Sequence, residues 1–269
     1  MTFGLLLDID GVMVTSWKAL PGAVDAVNTL ADRAIPRMFL TNTTSRSRGE
    51  IAELLAGCGF RIDADEIMTA AALTAEFLGK NYPGKKVWVI NEGPIAEDMT
   101  GVDLVDEPSS AEVVVLGGAG PVFTHDALSK VLELMVSGVP VVAMHRSMTW
   151  STDRGLSIDT GVYLEGLEKA AGRKIKAIGK PSPLGFRAAV DIMGLEPTQV
   201  VMVGDDMHND VLGAQAAALI GVLVRTGKFR EEALRALQRD EFGPVPDYVI
   251  DSVADLPELL DKMFPDAVD

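Results

Sequence analysis

The sequence predicts an α/β fold, a doubly wound parallel β-sheet with helices on both faces. Three observations predict it. Short apolar runs alternate with amphipathic helical patterns along the whole chain, which is how βαβ units read. The apolar runs are nearly continuous, as in strands buried on both faces. Hydrophobic residues make up 48% of 269 residues, enough for a sizeable core.

The elements follow in order. Phe3 to Leu7, within "FGLLLDIDGVMVT", reads as a buried strand. A helical pattern over Gly22 to Ala34 puts Val24, Val27, Leu30 and Ala31 on one face. "PRMFLTN", Pro36 to Asn42, is a second strand, and helical patterns cover Ser47 to Ala56 and Ala70 to Asn81. Tyr82, Pro83 and Gly84 then break the chain. "KVWVIN", "AEVVVLGG" and "VPVVAMH" are strands, separated by helical patterns over Ile95 to Met99 and Asp126 to Ser137. "RSMTWSTDRGLSIDTG" reads as irregular and leads into a helix over Val162 to Ala171. "IKAIGKPSP" is a short strand and turn, and "QVVMVGDD", "IGVLVRT" and "DYVID" are later strands with helices between.

Composition excludes several function classes. The formal net charge is -15 with no Lys/Arg-rich block, which argues against a nucleic-acid partner. The single cysteine, Cys58, forms no internal disulfide, so a reducing cytoplasm is expected. "MTFGLLLDIDG" carries no basic leader, and its apolar run is too short for a signal peptide or a membrane span. The three histidines, His125, His145 and His208, are far apart in sequence and make a poor metal triad. "LGGAG", Leu116 to Gly120, lacks the spacing of a dinucleotide loop.

In open α/β sheets, ligands bind beyond the carboxyl ends of the strands. Four predicted strands end in polar residues there: Asp8 and Asp10, then Thr41, then Lys180, then Asp205 and Asp206 with Asp210 shortly after. Asp8 and Asp10 are two apart, so an extended backbone points both the same way. Two adjacent anions at a buried strand end repel unless a cation or a proton intervenes. A hard cation such as Mg²⁺, held by a few carboxylates, resolves the conflict.

Each motif has a plainer reading as well. In "DIDGV" a carboxylate can attack phosphorus, and its neighbour two residues on can protonate the leaving oxygen. Gly11 lets the chain turn away close to the substrate. The plainer reading is a strand end with capping aspartates. Thr41 and the amide of Asn42 in "FLTNTT" can hold phosphoryl oxygens, or simply precede a helix. Lys180 in "IGKPSP" can balance charge on the nucleophile and phosphoryl group, or be a surface lysine. In "VVMVGDDMHND", Asp205 is expected to face the metal and Asp210 to orient Lys180 or a metal-bound water, while Asp206 and Asn209 stay ambiguous. Acids also suit a helix N-terminus. The four motifs together, each at a predicted strand end, favour the catalytic reading.

These motifs, in this order, resemble those of the haloacid dehalogenase superfamily, and within it the 4-nitrophenylphosphatase-like, NagD-like subgroup. The stretch "GLSIDTGVYLEGLEKAAGRKIKAIGKPSP" is similar to phospholysine phosphohistidine inorganic pyrophosphate phosphatases. The resemblance implies a Rossmann-like catalytic core and a Mg²⁺-dependent phosphohydrolase working through an aspartyl-phosphate. It implies Asp8 as nucleophile and metal ligand. Asp10 is implied as general acid/base whose carbonyl also binds the metal, and Asp205 as a further ligand. It further implies a homodimer through the cap and a small phosphorylated metabolite as substrate.

Between Thr41 and Lys180 lies more chain than a single crossover needs. The resemblance explains this as an inserted α/β cap, expected over residues 82–176, with the core formed by 1–81 and 177–269. The break at Tyr82 to Gly84 supports this independently, because it opens a self-contained run of strands and helices. Where NagD-like proteins carry Asn-Pro-Asp after the cap strand, this chain has "MHRSMTWS". His145, Arg146, Trp150, Asp159 and Tyr163 are the cap residues to watch. Arg146 suits a second anionic group of the substrate, and Trp150 suits stacking on a ring. The alternative reading of these residues is a solvated loop with a packed tryptophan. Two rival functions remain at this point: a phosphoester-binding protein with little turnover, and a metal-independent dehalogenase on the same fold.

Overall fold

The computed structural model describes residues 2–152, 155–240 and 243–265. The chain forms two compact units. The first comprises Met1–Thr41, Arg48–Met68 and Pro183–Asp269, and the second, inserted in sequence, comprises Asn42–Ser47 and Thr69–Ser182.

The first part of the chain supplies β1 (Gly4–Leu7), a short hairpin of β2 (Val14–Thr15) and β3 (Lys18–Ala19), α1 (Ala23–Asp32), β4 (Arg37–Thr41), α2 (Arg48–Gly57) and β5 (Ile67–Thr69). The inserted part supplies α3 (Ala70–Asn81), β6 (Lys86–Ile90), β7 (Asp103–Leu104), β8 (Val113–Leu116), α4 (His125–Ser137), β9 (Val141–Ala143), β10 (Thr149–Thr152), β11 (Gly155–Ile158), α5 (Thr160–Ala171) and β12 (Lys176–Ala177). The chain then returns with α6 (Pro183–Met193), β13 (Val200–Gly204), α7 (Gly213–Ala216), β14 (Ile220–Val224), α8 (Glu231–Gln238), β15 (Tyr248–Ile250) and α9 (Leu256–Met263).

The sheet of the first unit has the order β15-β14-β13-β1-β4-β5. β1 pairs in parallel with β13, Leu7 opposite Val203, and with β4, Leu7 opposite Phe39. β13, β14 and β15 continue in parallel. The chain therefore leaves β1 in one direction through β4 and β5, and later fills the other side with β13 to β15. That reversal makes the junction of β1 and β13 a topological switch point, where crevices form in such folds.

The central strands are buried on both faces, which is why they read as continuous apolar runs. Leu5 and Leu7 of β1 join Val201, Val203, Val222 and Val224 in one cluster with residues of α1, α2 and α9. Leu6, Met202 and Leu223 are buried as well, pointing to the opposite face as strand alternation requires. Each such side chain contributes about 1.5–3 kcal/mol on burial. A few of them offset the cost of gathering charged groups at the strand ends.

The second unit carries its own parallel sheet, in the order β12-β9-β8-β6-β7. α3 belongs to it. Ala70, Ala71 and Leu78 pack with Val87, Val113, Val115 and Val142, so the packing boundary falls before α3, whereas the sequence division falls after it. Two local expectations are corrected. Ile95 to Met99 is not a helix. It is a pair of tight turns, with the Met99 amide donating to Ile95, and the run is too short to repay helix nucleation. The segment expected to be irregular contains an antiparallel hairpin, β10 with β11, Trp150 opposite Ser157. Among the described residues, no helix is long and apolar enough to cross a membrane.

Candidate active site

Asp8 follows directly on the last residue of β1, and Asp205 on the last residue of β13, so the two meet at the switch point. Asp210 comes from the irregular turn after β13, where Met207–Leu212 form a π-helical turn capped by the Asp206 side chain. That wider turn, common at functional sites, carries Asp210 back toward the strand end. One carboxylate oxygen from each of Asp8, Asp205 and Asp210 lies within 4.8 Å of the others, and all three residues are buried. Asp210 also accepts a hydrogen bond from the Asp206 amide at 3.0 Å.

The loop after β14, Thr226 to Lys228, closes the site from a third side. The Thr226 hydroxyl donates to the Gly11 carbonyl at 2.5 Å, and the Lys228 amide donates to Asp205 Oδ2 at 2.7 Å. Gly11 and Gly227 both adopt left-handed backbone, with φ of +82° and +59°. A Cβ on either would come within 1.9 Å of Asp205 Oδ2. Glycine is required at both positions for the dihedral and for the close approach.

The electrostatics match a cluster waiting for positive charge. Burial, then the charges of Asp8 and Asp210, push the Asp205 carboxyl up from 3.8 to about 7. The Lys228 amide and charge pull the other way without prevailing. Burial also works against ionised Asp206, but hydrogen bonds from Asn209 and His208 and the Lys228 charge outweigh it and hold that carboxyl low. Burial would lower the Lys228 ammonium, yet Asp8, Asp205, Asp210 and Asp206 together raise it. Asp205 Oδ1 is buried and has no hydrogen-bond partner among the described residues. A hard-oxygen set with an orphaned carboxylate oxygen and one carboxyl reluctant to ionise fits a small divalent cation such as Mg²⁺.

The other expected residues fall as follows. Asp10 is exposed, in an isolated bridge with Val14. Thr41 is buried at the end of β4. In the second unit, the Asn42 side-chain amide donates to the Lys180 carbonyl at 2.9 Å, and Lys180 is buried. Arg146 is hydrogen-bonded to Glu168, which also receives Lys174 at 2.8 Å and the Ile175 amide at 2.9 Å. Asp159 caps α5 through the Thr160 amide and also accepts from Ala119. His145 is buried, with Nδ1 accepting from the Ser147 amide at 3.3 Å. Burial lowers its pKa, with Asp159 opposing. Tyr163 packs on Phe123, ring centroids 5.2 Å apart. Trp150 lies on β10, and its side chain is outside the described residues.

Lys228 was missed in the sequence, although a signal existed. "VRTGK" is a fifth strand end carrying polar residues, and the rule that selected the other four applies to it equally.

Comparison with known proteins agrees with this geometry. The chain matches the haloacid dehalogenase-like hydrolase family over residues 5–105, and a second family of haloacid dehalogenase-like hydrolases over residues 177–256. It is 33% identical to the phospholysine phosphohistidine inorganic pyrophosphate phosphatase of Danio rerio, over 84% of each chain. Among solved structures, it resembles a p-nitrophenyl phosphatase from Archaeoglobus fulgidus at 30% identity and a TM-score of 0.88, covering 96% of this chain and 99% of that one. NagD from E. coli K-12 follows at 28% identity and a TM-score of 0.84, covering 95% and 98%. With its carboxylates gathered at the switch point of a parallel sheet, the chain belongs to the haloacid dehalogenase superfamily, as a NagD-like phosphatase.

Proposed function

We propose that the protein hydrolyses a small phosphorylated metabolite through an aspartyl-phosphate on Asp8, with Mg²⁺ at the carboxylate cluster. The observation that carries this reading is the convergence of buried Asp8, Asp205 and Asp210 within 4.8 Å, together with the orphaned Asp205 Oδ1.

Asp8, Asp205 and the Asp10 carbonyl would hold the cation, with Asp210 bracing the set. When bound, Mg²⁺ supplies charge neutralisation for the clustered carboxylates and the phosphoryl group. The remaining steps belong to the chain. A carboxylate oxygen of Asp8 attacks phosphorus, and the bond from phosphorus to the leaving oxygen breaks. Asp10, exposed shortly after the end of β1, gives its proton to that oxygen. Its carboxylate then takes a proton from water as the water oxygen attacks phosphorus. The bond from phosphorus to Asp8 breaks, and phosphate and free Asp8 result. Thr41, Asn42 and Lys180 bind phosphoryl oxygens in this reading, and Lys180 balances their charge.

Arg146 and Trp150 are proposed to contact the part of the substrate beyond the phosphoryl group. The bond from Arg146 to Glu168 means that such a contact competes with an existing partner. A cytoplasmic location and a homodimer through the inserted unit complete the reading, and sedimentation at micromolar concentration tests the dimer. The chemistry is tested by phosphate release from a panel of phosphorylated metabolites with and without Mg²⁺. Mg²⁺-dependent turnover by wild type that is lost in Asp8→Asn supports it. Equal turnover by the variant rejects it.

A further inference from the structure

We propose that Lys228 is a tethered counter-ion of the carboxylate cluster, compensating it in the metal-free protein and opposing the divalent cation that binds there. The inference rests on the metal reading above and adds a residue that the reading does not use.

The tether is short and fixed. The Lys228 amide is bonded to Asp205 Oδ2 at 2.7 Å, and the preceding Gly227 lies against Gly11 with a left-handed backbone. Thr226 holds the same loop to the Gly11 carbonyl. The main chain of residue 228 is thus part of the site wall, whatever its side chain does. The ammonium nitrogen stands 3.8 Å from Asp206 Oδ2, and the side chain is 67% exposed. It is near enough to act on the cluster and hydrated enough to move away. The charges of Asp8, Asp205, Asp210 and Asp206 all act on it.

An exposed ammonium beside buried carboxylates has two consequences of opposite sign. Without metal, it lowers the repulsion among like charges and stabilises the folded chain. When a divalent cation arrives, the ammonium repels it and has already screened part of the field that attracts it. Exposure keeps both effects modest, because water screens the ammonium. A purely structural lysine predicts something different: its loss would loosen the site and weaken metal binding.

The test compares wild type, Lys228→Met and Lys228→Arg by thermal unfolding in chelator and by Mg²⁺ titration at low salt. Lys228→Met is expected to unfold at a lower temperature without metal, and to reach its Mg²⁺ midpoint at about fivefold lower concentration. Lys228→Arg, which keeps the charge, is expected to behave as wild type. High salt is expected to shrink the difference. A midpoint for Lys228→Met that is unchanged, or shifted to higher Mg²⁺, overturns the proposal while the metal reading stands. No Mg²⁺ response in wild type overturns both.

Discussion

Gly11 and Gly227 meet back to back beside the Asp205 carboxylate. A Cβ built on Gly11 would lie 3.0 Å from the Gly227 Cα, and one built on Gly227 would lie 2.6 Å from the Gly11 Cα. Three loops, following β1, β13 and β14, close on one point because neither residue has a side chain.

Alanine at either glycine should therefore damage the site more than the fold. The dihedral alone costs about 1–2 kcal/mol, and the new methyl must displace Asp205. A displacement of about 1 Å at a reacting centre costs about a hundredfold in rate. Gly11→Ala and Gly227→Ala are expected to lower phosphate release at least that far and to weaken the Mg²⁺-induced rise in melting temperature. Near-native turnover in either variant would mean that the close approach is dispensable.

The Asp205 carboxyl gives a pH dependence with a definite sign. Its folded pKa, about 7, lies above the free value of 3.8. The unfolded chain ionises first, so this group withdraws stability from the metal-free protein as pH rises from about 4 to about 7. Above pH 7 the loss is constant, at an upper bound of about 4 kcal/mol. Asp205→Asn is expected to match wild type near pH 4 and to unfold at a temperature higher by about 5 °C at pH 8 in chelator. The variant should also lose most of the stabilisation by Mg²⁺. Equal melting curves at pH 8 would remove the claimed repulsion.

Glu168 behaves in the opposite sense. Burial works against its ionised form, but Lys174, the Ile175 amide and Arg146 outweigh burial and hold the carboxyl at about 2, below the usual 4.5. Its stabilisation is full above about pH 5 and is lost as pH falls from 4.5 toward 2. Glu168→Gln should cost about 2 kcal/mol at pH 7, and the gap to wild type should close in acid. A gap of constant size down to pH 2 would assign the loss to packing instead of charge.

The acidic strand ends were legible because physics forces them to stand out. A carboxylate directly after Leu7 or Gly204 contradicts its apolar surroundings, and only function or a turn explains that. Helices such as α1 and α3 were legible from periodicity, the latter to the residue. What was hidden depends on contacts distant in sequence. β5 is three residues long and gives too short a run to read. β10 and β11 are only four residues each and follow a mixed polar and apolar run, too short to show a period. Arg146 looked available for an anion because Glu168, its partner, lies a full helix away. Lys228 was overlooked because one basic residue in a solvated loop is ordinary until its amide is seen to hold Asp205.

The measurement that tests the central claim most directly is acid-quenched mass spectrometry during turnover of p-nitrophenyl phosphate with Mg²⁺. The account predicts a phosphoryl adduct on the peptide containing Asp8, absent from Asp8→Asn, which should also release no phosphate. Sustained phosphate release by Asp8→Asn, with no adduct in wild type, would contradict it.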